Sequence, residues 1–111
     1  GMIAESDGRV AGYMIYELHK NRLHVLNFAV DPAMRRRGVG SLMADKLIRK
    51  LWPQRRSRIL LEIRETNLGG QLFFKSLGFR AVSMLKGFYD DTTEDAIVMQ
   101  YRLPPPEFEG K

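Results

Sequence analysis

The stretch from Leu23 to Leu51 constrains the fold most, because it joins an extended apolar segment to an amphipathic helix through a basic loop that contains glycine. Leu23 to Val30 has the β-branched and aromatic content of a strand, and Asp31-Pro32 ends it. The helix that follows has one apolar stripe, formed by Val39, Leu42, Met43, Leu47, Ile48 and Leu51. A strand, a helix and a further strand in this order predict a parallel pair in the centre of a sheet.

Shorter patterns on both sides of this unit predict the element order β-β-β-α-β-α-β-β. The other strands are predicted at Ile3–Ser6, Val10–His19, Ile59–Arg64, Phe79–Tyr89 and Ala96–Leu103, and a second helix runs from Asn67 to about Ser76. The fold class is therefore α/β (α+β), with a mixed, mostly antiparallel sheet. The chain has 111 residues, which suits one domain. We expect that domain over residues 2–103 and a flexible tail over residues 104–111.

One strand carries an irregularity in its apolar pattern. Leu23 and Val25 fall on one phase, whereas Leu26, Phe28 and Val30 fall on the other. A shift by one residue inside a strand predicts a β-bulge, which also frees backbone groups from the ladder. A strand buried on both faces would give the same pattern, so both interpretations stay open at this point.

The charge of the chain is unevenly placed. Residues 35–58 hold nine Lys or Arg against one acid, Asp45, a local net charge of +8, whereas the whole chain carries +5. Such a field attracts a polyanion, although a solvated basic helix face is the alternative. No apolar run reaches the roughly 18 residues of a membrane span. The chain has no cysteine, which excludes disulfides and thiolate chemistry and fits a cytoplasmic location.

The loop Arg35-Arg36-Arg37-Gly38-Val39-Gly40 is the strongest local signal, because it follows a strand and opens a helix. The free amides at a helix N-terminus form an anion site, and glycine lets a phosphate approach the backbone. A lone G-x-G has little specificity, so the context rather than the motif favours phosphate binding.

These motifs together resemble the GCN5-related N-acetyltransferase (GNAT) superfamily, and most of all its ribosomal-protein-alanine N-acetyltransferase (RimI) type. The similarity lies in Leu26–Pro32, Arg35–Gly40, Leu42-Met43, Leu61–Arg64, Thr66-Asn67, Ser76–Phe79, Tyr89 and Glu94–Met99. The resemblance implies a central parallel pair that splays apart, and direct transfer of acetyl from acetyl-CoA to a primary amine, such as a protein N-terminus. The implied cofactor-binding residues are Phe28, Ala29, Val30, Arg35, Arg36, Arg37, Gly38, Val39, Gly40, Ser41, Asn67 and Phe74.

The same resemblance implies catalytic roles for two residues. Glu62 matches the position of the general base, although an isolated strand glutamate is usually a surface residue. The family's tyrosine acid is replaced here by Phe74, and Tyr89 is the nearest substitute, or else a packing tyrosine. For Asn67, a role as the N-cap of the second helix is as well supported as contact with the cofactor. His19 and His24 lie across the first hairpin, but two histidines without a third ligand make a poor metal site, so we expect no metal.

A second departure from the family concerns the chain's first elements. Members normally have a strand and two helices before the point at which this chain begins, and we expect a second copy of the chain to cover the exposed sheet. The residues expected to need that cover are Val10, Met14, Tyr16, Leu23 and Val25. The sequence leaves two alternatives to acetylation of a protein N-terminus. The chain could be a small-molecule amine acetyltransferase, or a CoA-binding family member with weak or no catalysis. We expect neither nucleic acid nor membrane as a partner, because aromatic residues other than Trp52 do not interleave with the basic ones.

Overall fold

The computed structural model describes residues 1–35, 38–91 and 93–104, and within them it contains a six-stranded sheet and two α-helices. The elements are β1 (Met2–Ser6), β2 (Arg9–Leu18), β3 (Leu23–Val30), a short 3-10 turn (Pro32–Met34), α1 (Val39–Ile48), β4 (Arg58–Arg64), α2 (Leu68–Ser76), β5 (Arg80–Leu85) and β6 (Ala96–Arg102). The strands lie in the order β1-β2-β3-β4-β6-β5. Of these neighbours only β3 and β4 run parallel, so the predicted fold class and element order are confirmed.

The predicted bulge in β3 is also present. Ile15 pairs with Asn27 and the next residue, Tyr16, pairs with Val25, so Leu26 is an extra residue in β3. The parallel pairing of β3 with β4 runs only from Leu23 to Val25. Beyond the bulge the described parts of the two strands diverge, and their backbones no longer bond to each other.

Both helices pack on the same face of the sheet. Met43 and Leu47 of α1 and Phe74 of α2 join one buried cluster with the sheet residues Met14 and Leu61. The helices also approach each other, because a Cβ added at Gly40 would lie 3.1 Å from Cζ of Phe73. In the described part of the chain, neither helix has the length and apolar character needed to cross a bilayer.

The structure corrects the prediction of which sheet residues lack cover. Met14, Leu23 and Val25 are buried under the helices, with exposed fractions of 1%, 0% and 6%, and Tyr16 is half-buried against the same cluster. Val10 is exposed as expected. Ala4 pairs with Gly12 and Glu5 pairs with Val10, so Ala11 is an extra residue in β2. This extra residue turns Val10 to the face opposite the helices. The opposite face, which we call the open face, carries the exposed side chains Ile3, Val10, Tyr13 and Ile15.

The strand predicted from Phe79 to Tyr89 is shorter than expected. It covers Arg80–Leu85 and ends before Gly87, which has a φ of 57°. A residue with positive φ leaves the extended backbone of a strand, so Phe88 and Tyr89 belong to the connection between β5 and β6. This connection returns Tyr89 toward the sheet, where its amide donates to the carbonyl of Glu94 at 3.4 Å.

Candidate active site

A cleft of about 870 Å³ opens where β3 and β4 diverge. Its walls come from β3 beyond the bulge, from β4, from the start of α2 and from the connection that holds Tyr89. Eight residues that the sequence predicted as functional line it together: Phe28, Ala29, Val30, Arg35, Glu62, Asn67, Phe74 and Tyr89. Within the described residues β3 pairs with β4 only from Leu23 to Val25, so beyond the bulge the edge of β3 has no ladder to β4 and turns its backbone groups to the cleft.

The first turn of α1 adjoins the cleft. Gly38 is the N-cap residue, with a φ of 79°, a conformation that residues with a Cβ rarely adopt. It has no side chain to cap the helix, so Gly38 supplies no side-chain acceptor for the first amides of α1. Gly40 lies close to the cleft wall, since a Cβ there would be 3.5 Å from Cγ2 of Val30. Of the predicted arginines Arg35 lines the cleft, whereas Arg36 and Arg37 lie outside the described residues.

Glu62 lies on the face of β4 opposite the helices, and its carboxylate is held by a histidine. Nε2 of His24 lies 2.8 Å from Oε1 and 3.0 Å from Oε2 of Glu62. Both side chains are largely enclosed, with exposed fractions of 24% for His24 and 19% for Glu62. An ionised Glu62 accepts the proton of Nε2, so the histidine fixes the direction of the carboxylate. His24 was missed as a site residue because its partner is distant in sequence.

Tyr89 lies against Arg64, whose guanidinium carbon is 4.1 Å from the centre of the tyrosine ring. Arg64 is itself fixed by Asp91, which accepts at 2.8 and 3.0 Å. Burial raises the pKa of Tyr89; the nearby Arg64 opposes this shift and the Glu62 carboxylate adds to it. The phenol therefore keeps its proton at neutral pH and is able to donate it. The signal for Arg64 as a cleft residue was its place two positions after Glu62, on the same face of β4.

Asn67 and Phe74 attach α2 to the cleft. Oδ1 of Asn67 accepts from the amide of Gly70 at 2.9 Å, so Asn67 caps α2 while it also lines the cleft. Phe74 is 7% exposed and packs edge-on against Phe28 and Phe79, with ring centres 5.3 and 5.2 Å apart. Its ring offers no proton, and it forms an apolar part of the cleft wall.

Residues 1–79 match the sequence profile described as the acetyltransferase (GNAT) family. The ribosomal protein bS18-alanine N-acetyltransferase of Salmonella typhimurium is 31% identical over 96 residues, which are 85% of this chain and 65% of that protein. The crystal structure of the corresponding enzyme from Escherichia coli has a TM-score of 0.80 at 28% identity and covers 96% of this chain and 70% of that one. The crystal structure of Ard1 from Thermoplasma volcanium has a TM-score of 0.75 at 31% identity and covers 88% of this chain and 66% of that one.

The chain thus spans 65% of the length of the Salmonella relative. The family profile nevertheless matches well over half of the chain, and it includes β3, the loop before α1, and β4. The chain therefore belongs to the acetyltransferase (GNAT) family.

Proposed function

We propose that this chain carries the acetyl-transfer centre of an N-acetyltransferase, which takes acetyl from acetyl-CoA and gives it to the amine of a protein N-terminus. One observation carries the proposal: Glu62, fixed by His24, lies in the cleft opened by the divergence of β3 and β4. A carboxylate and a row of free backbone groups thereby face the same space. This arrangement suits an amine and an extended acyl carrier that meet between the two strands.

The N-terminus of α1 and the adjoining β3 backbone fit a nucleotide-linked acyl carrier. Among the described residues nothing lies within 4 Å of a Cβ built at Gly38, so a pyrophosphate would have room there to reach the first amides of α1. Arg35 adds a positive charge on the cleft side. The backbone of residues 28–30 is free to pair with the amides of the pantetheine arm. Acetyl-CoA would supply the activated thioester, and the absence of cysteine fits direct attack by the amine.

Glu62 acts as the general base in this proposal, directly or through one water. An amine attacks only when it is neutral, and a carboxylate held in one orientation is ready to accept its proton. A protein N-terminus has an ordinary pKa of about 7.7–8.0, compared with about 10.4 for lysine. It therefore needs far less help to become neutral, which favours an N-terminal acceptor. Two relatives are alanine N-acetyltransferases of a ribosomal protein, which supports the same choice.

Backbone and phenol groups complete the chemistry. In this proposal a β3 amide beyond the extra residue Leu26 donates to the thioester oxygen and stabilises the negative charge that develops there. One such donor contributes about 3 kcal/mol to the transition state. The departing thiolate needs a proton, and Tyr89 is the cleft residue that holds one, because Phe74 stands where the family has a tyrosine.

The open face supports a further part of the proposal, a homodimer. We also propose a cytoplasmic location, which the absence of cysteine fits. Ile3, Val10 and Ile15 are 67%, 54% and 47% exposed and lie together on β1 and β2. Water penalises a contiguous apolar patch of this kind, and identical chains most often cover such a patch by pairing about a twofold axis. The homodimer would shape the acceptor side of the cleft, because Glu62 faces the same side of the sheet.

Mass spectrometry of acceptors incubated with acetyl-CoA tests the proposed function. Peptides that begin with alanine, serine or methionine are compared with the same peptides blocked at the N-terminus but containing lysine, and with polyamines. We expect one acetyl group on the free N-termini and none on the blocked peptides. Acetylation confined to polyamines would replace the protein N-terminus by a small amine, and no acetylation of any acceptor would contradict the proposal.

A further inference from the structure

The end of the β2–β3 hairpin carries three side chains of the kind that bind transition metals. Glu17 pairs with His24 across the two strands, and His19 follows directly after β2. One ligand atom from each of the three side chains lies within 4.8 Å of the others. Nε2 of His19 is 3.0 Å from Oε1 of Glu17, and the two imidazole rings are 6.3 Å apart. The structure therefore supplies the third ligand that the sequence pattern lacked.

We propose that Glu17, His19 and His24 form a binding site for a divalent transition-metal ion of the zinc type. Two imidazoles and one carboxylate are a common ligand set for Zn²⁺ with one open position. Zinc–ligand bonds of about 2.0–2.2 Å place the ligand atoms of a tetrahedral site roughly 3.4 Å apart. The three side chains need to close by about an ångström, and the exposed fractions of Glu17 and His19, 52% and 36%, leave them free to do so.

The backbone that carries these ligands is firmly anchored. Leu23 and Val25, on either side of His24, are buried in the core. The turn between the strands is closed by the amide of His19, which donates to the carbonyl of Arg22 at 2.9 Å. The carbonyl of His19 also accepts from Nε of Arg56 at 2.6 Å, which ties the hairpin to the segment before β4. Only side-chain rotations are then needed to form the site, which limits the entropy lost on binding.

Metal binding at this site would act on Glu62. His24 is shared, because its Nε2 lies 2.8 Å from Oε1 of Glu62. An ion that binds Nε2 of His24 replaces its contacts with the two carboxylate oxygens of Glu62, so Glu62 loses the group that fixes its direction in the cleft. The ion is thus an inhibitor of acetyl transfer. This second part rests on the proposed function, whereas the binding site itself does not.

Isothermal titration calorimetry of the chain with Zn²⁺ in a non-chelating buffer tests the site. We expect one ion per chain, and at least about a tenfold weaker affinity in His19→Ala and in Glu17→Gln, since even changes in groups behind metal ligands cost this much. Glu5→Gln, an exposed carboxylate on β1, is the matched control and keeps the affinity. Circular dichroism verifies that each variant is folded. Equal affinity in all three variants, or no binding, would overturn the site.

A second measurement separates the coupling from the site. Zn²⁺ at saturating concentration is expected to reduce the acetylation rate of the unaltered chain at least tenfold, and to leave His19→Ala, which keeps its basal rate, little affected. Binding without inhibition would overturn the coupling to Glu62 and keep the site. If no acetyl transfer is detected under any condition, the proposed function fails, and the calorimetric result still decides whether the metal site exists.

Discussion

In the proposed function Phe74 stands where the family resemblance implies a tyrosine acid, and we propose that Tyr89 protonates the thiolate instead. We predict that Tyr89→Phe slows acetyl transfer by roughly tenfold or more at neutral pH. Phe74→Tyr in the same chain should recover part of that loss, because Phe74 lines the cleft and a tyrosine there would add a hydroxyl to its wall. Steady-state rates of the single and double variants provide the comparison. Full activity in Tyr89→Phe would assign the proton to water.

His24 was missed as a site residue, and the reason lies in how the pair with Glu62 is made. The two residues are 38 positions apart, and they meet because β3 and β4 lie side by side in parallel, with His24 in register with Leu60. The pattern of a single strand does not reveal the residue beside it in the sheet. Glu62 was found only through the family's motif, since its own strand pattern is that of a surface glutamate.

The loop and first turn of α1 carry the prediction about cofactor affinity. Gly38→Val places a β-branched side chain at a φ of 79° and in the space expected to hold phosphate. We predict a loss of acetyl-CoA affinity of at least about tenfold, measured by calorimetry. Gly8→Val is the matched control, because Gly8 has a φ of 74° and open surroundings but lies in the β1–β2 turn. If both variants bind acetyl-CoA like the unaltered chain, the loop does not hold the phosphates.

Elements with a strong internal pattern were predictable from the sequence, whereas the end of β5 and the side of the sheet that the helices cover were not. The bulge in β3 follows from the change of phase at Leu26, and α2 begins at its Asn67 cap as predicted. The β5 strand was predicted too long, because Phe88 and Tyr89 are apolar and aromatic but follow the turn at Gly87. The prediction that Met14, Leu23 and Val25 need cover from a second chain was wrong, since alternation alone does not say which side the helices cover.

The homodimer proposed for the whole molecule rests on the open face of the sheet. We predict a homodimer at micromolar concentration, measured by light scattering coupled to size-exclusion chromatography. Ile3→Glu should shift it to a monomer, because a charge in the middle of the buried patch would be unpaired. Leu72→Glu is the matched control: Leu72 is also 67% exposed but lies on α2, on the other side of the sheet. A monomeric unaltered chain that binds no hydrophobic dye would contradict the dimer.

The basic region of the molecule has one chemical use in the proposed function. Arg35 lines the cleft and the start of α1 adjoins it, whereas Arg49 further along α1 is paired with Asp45 at 2.9 Å on the exposed helix surface. The polyphosphate of the proposed acyl carrier would account for the positive charge near the cleft. The remaining charges are typical of a solvated helix face.

The acetylation rate of Glu62→Gln, compared with its acetyl-CoA affinity, decides whether the cleft is a catalytic centre with Glu62 as its base. The change keeps the size of the side chain and its contact with His24 but removes the ability to accept a proton at neutral pH. We predict a rate at least roughly 10²-fold lower with unchanged affinity, and an unaltered rate in the control Glu5→Gln. A Glu62→Gln variant with the full rate and the same pH–rate profile would contradict the assignment and return Glu62 to a structural role.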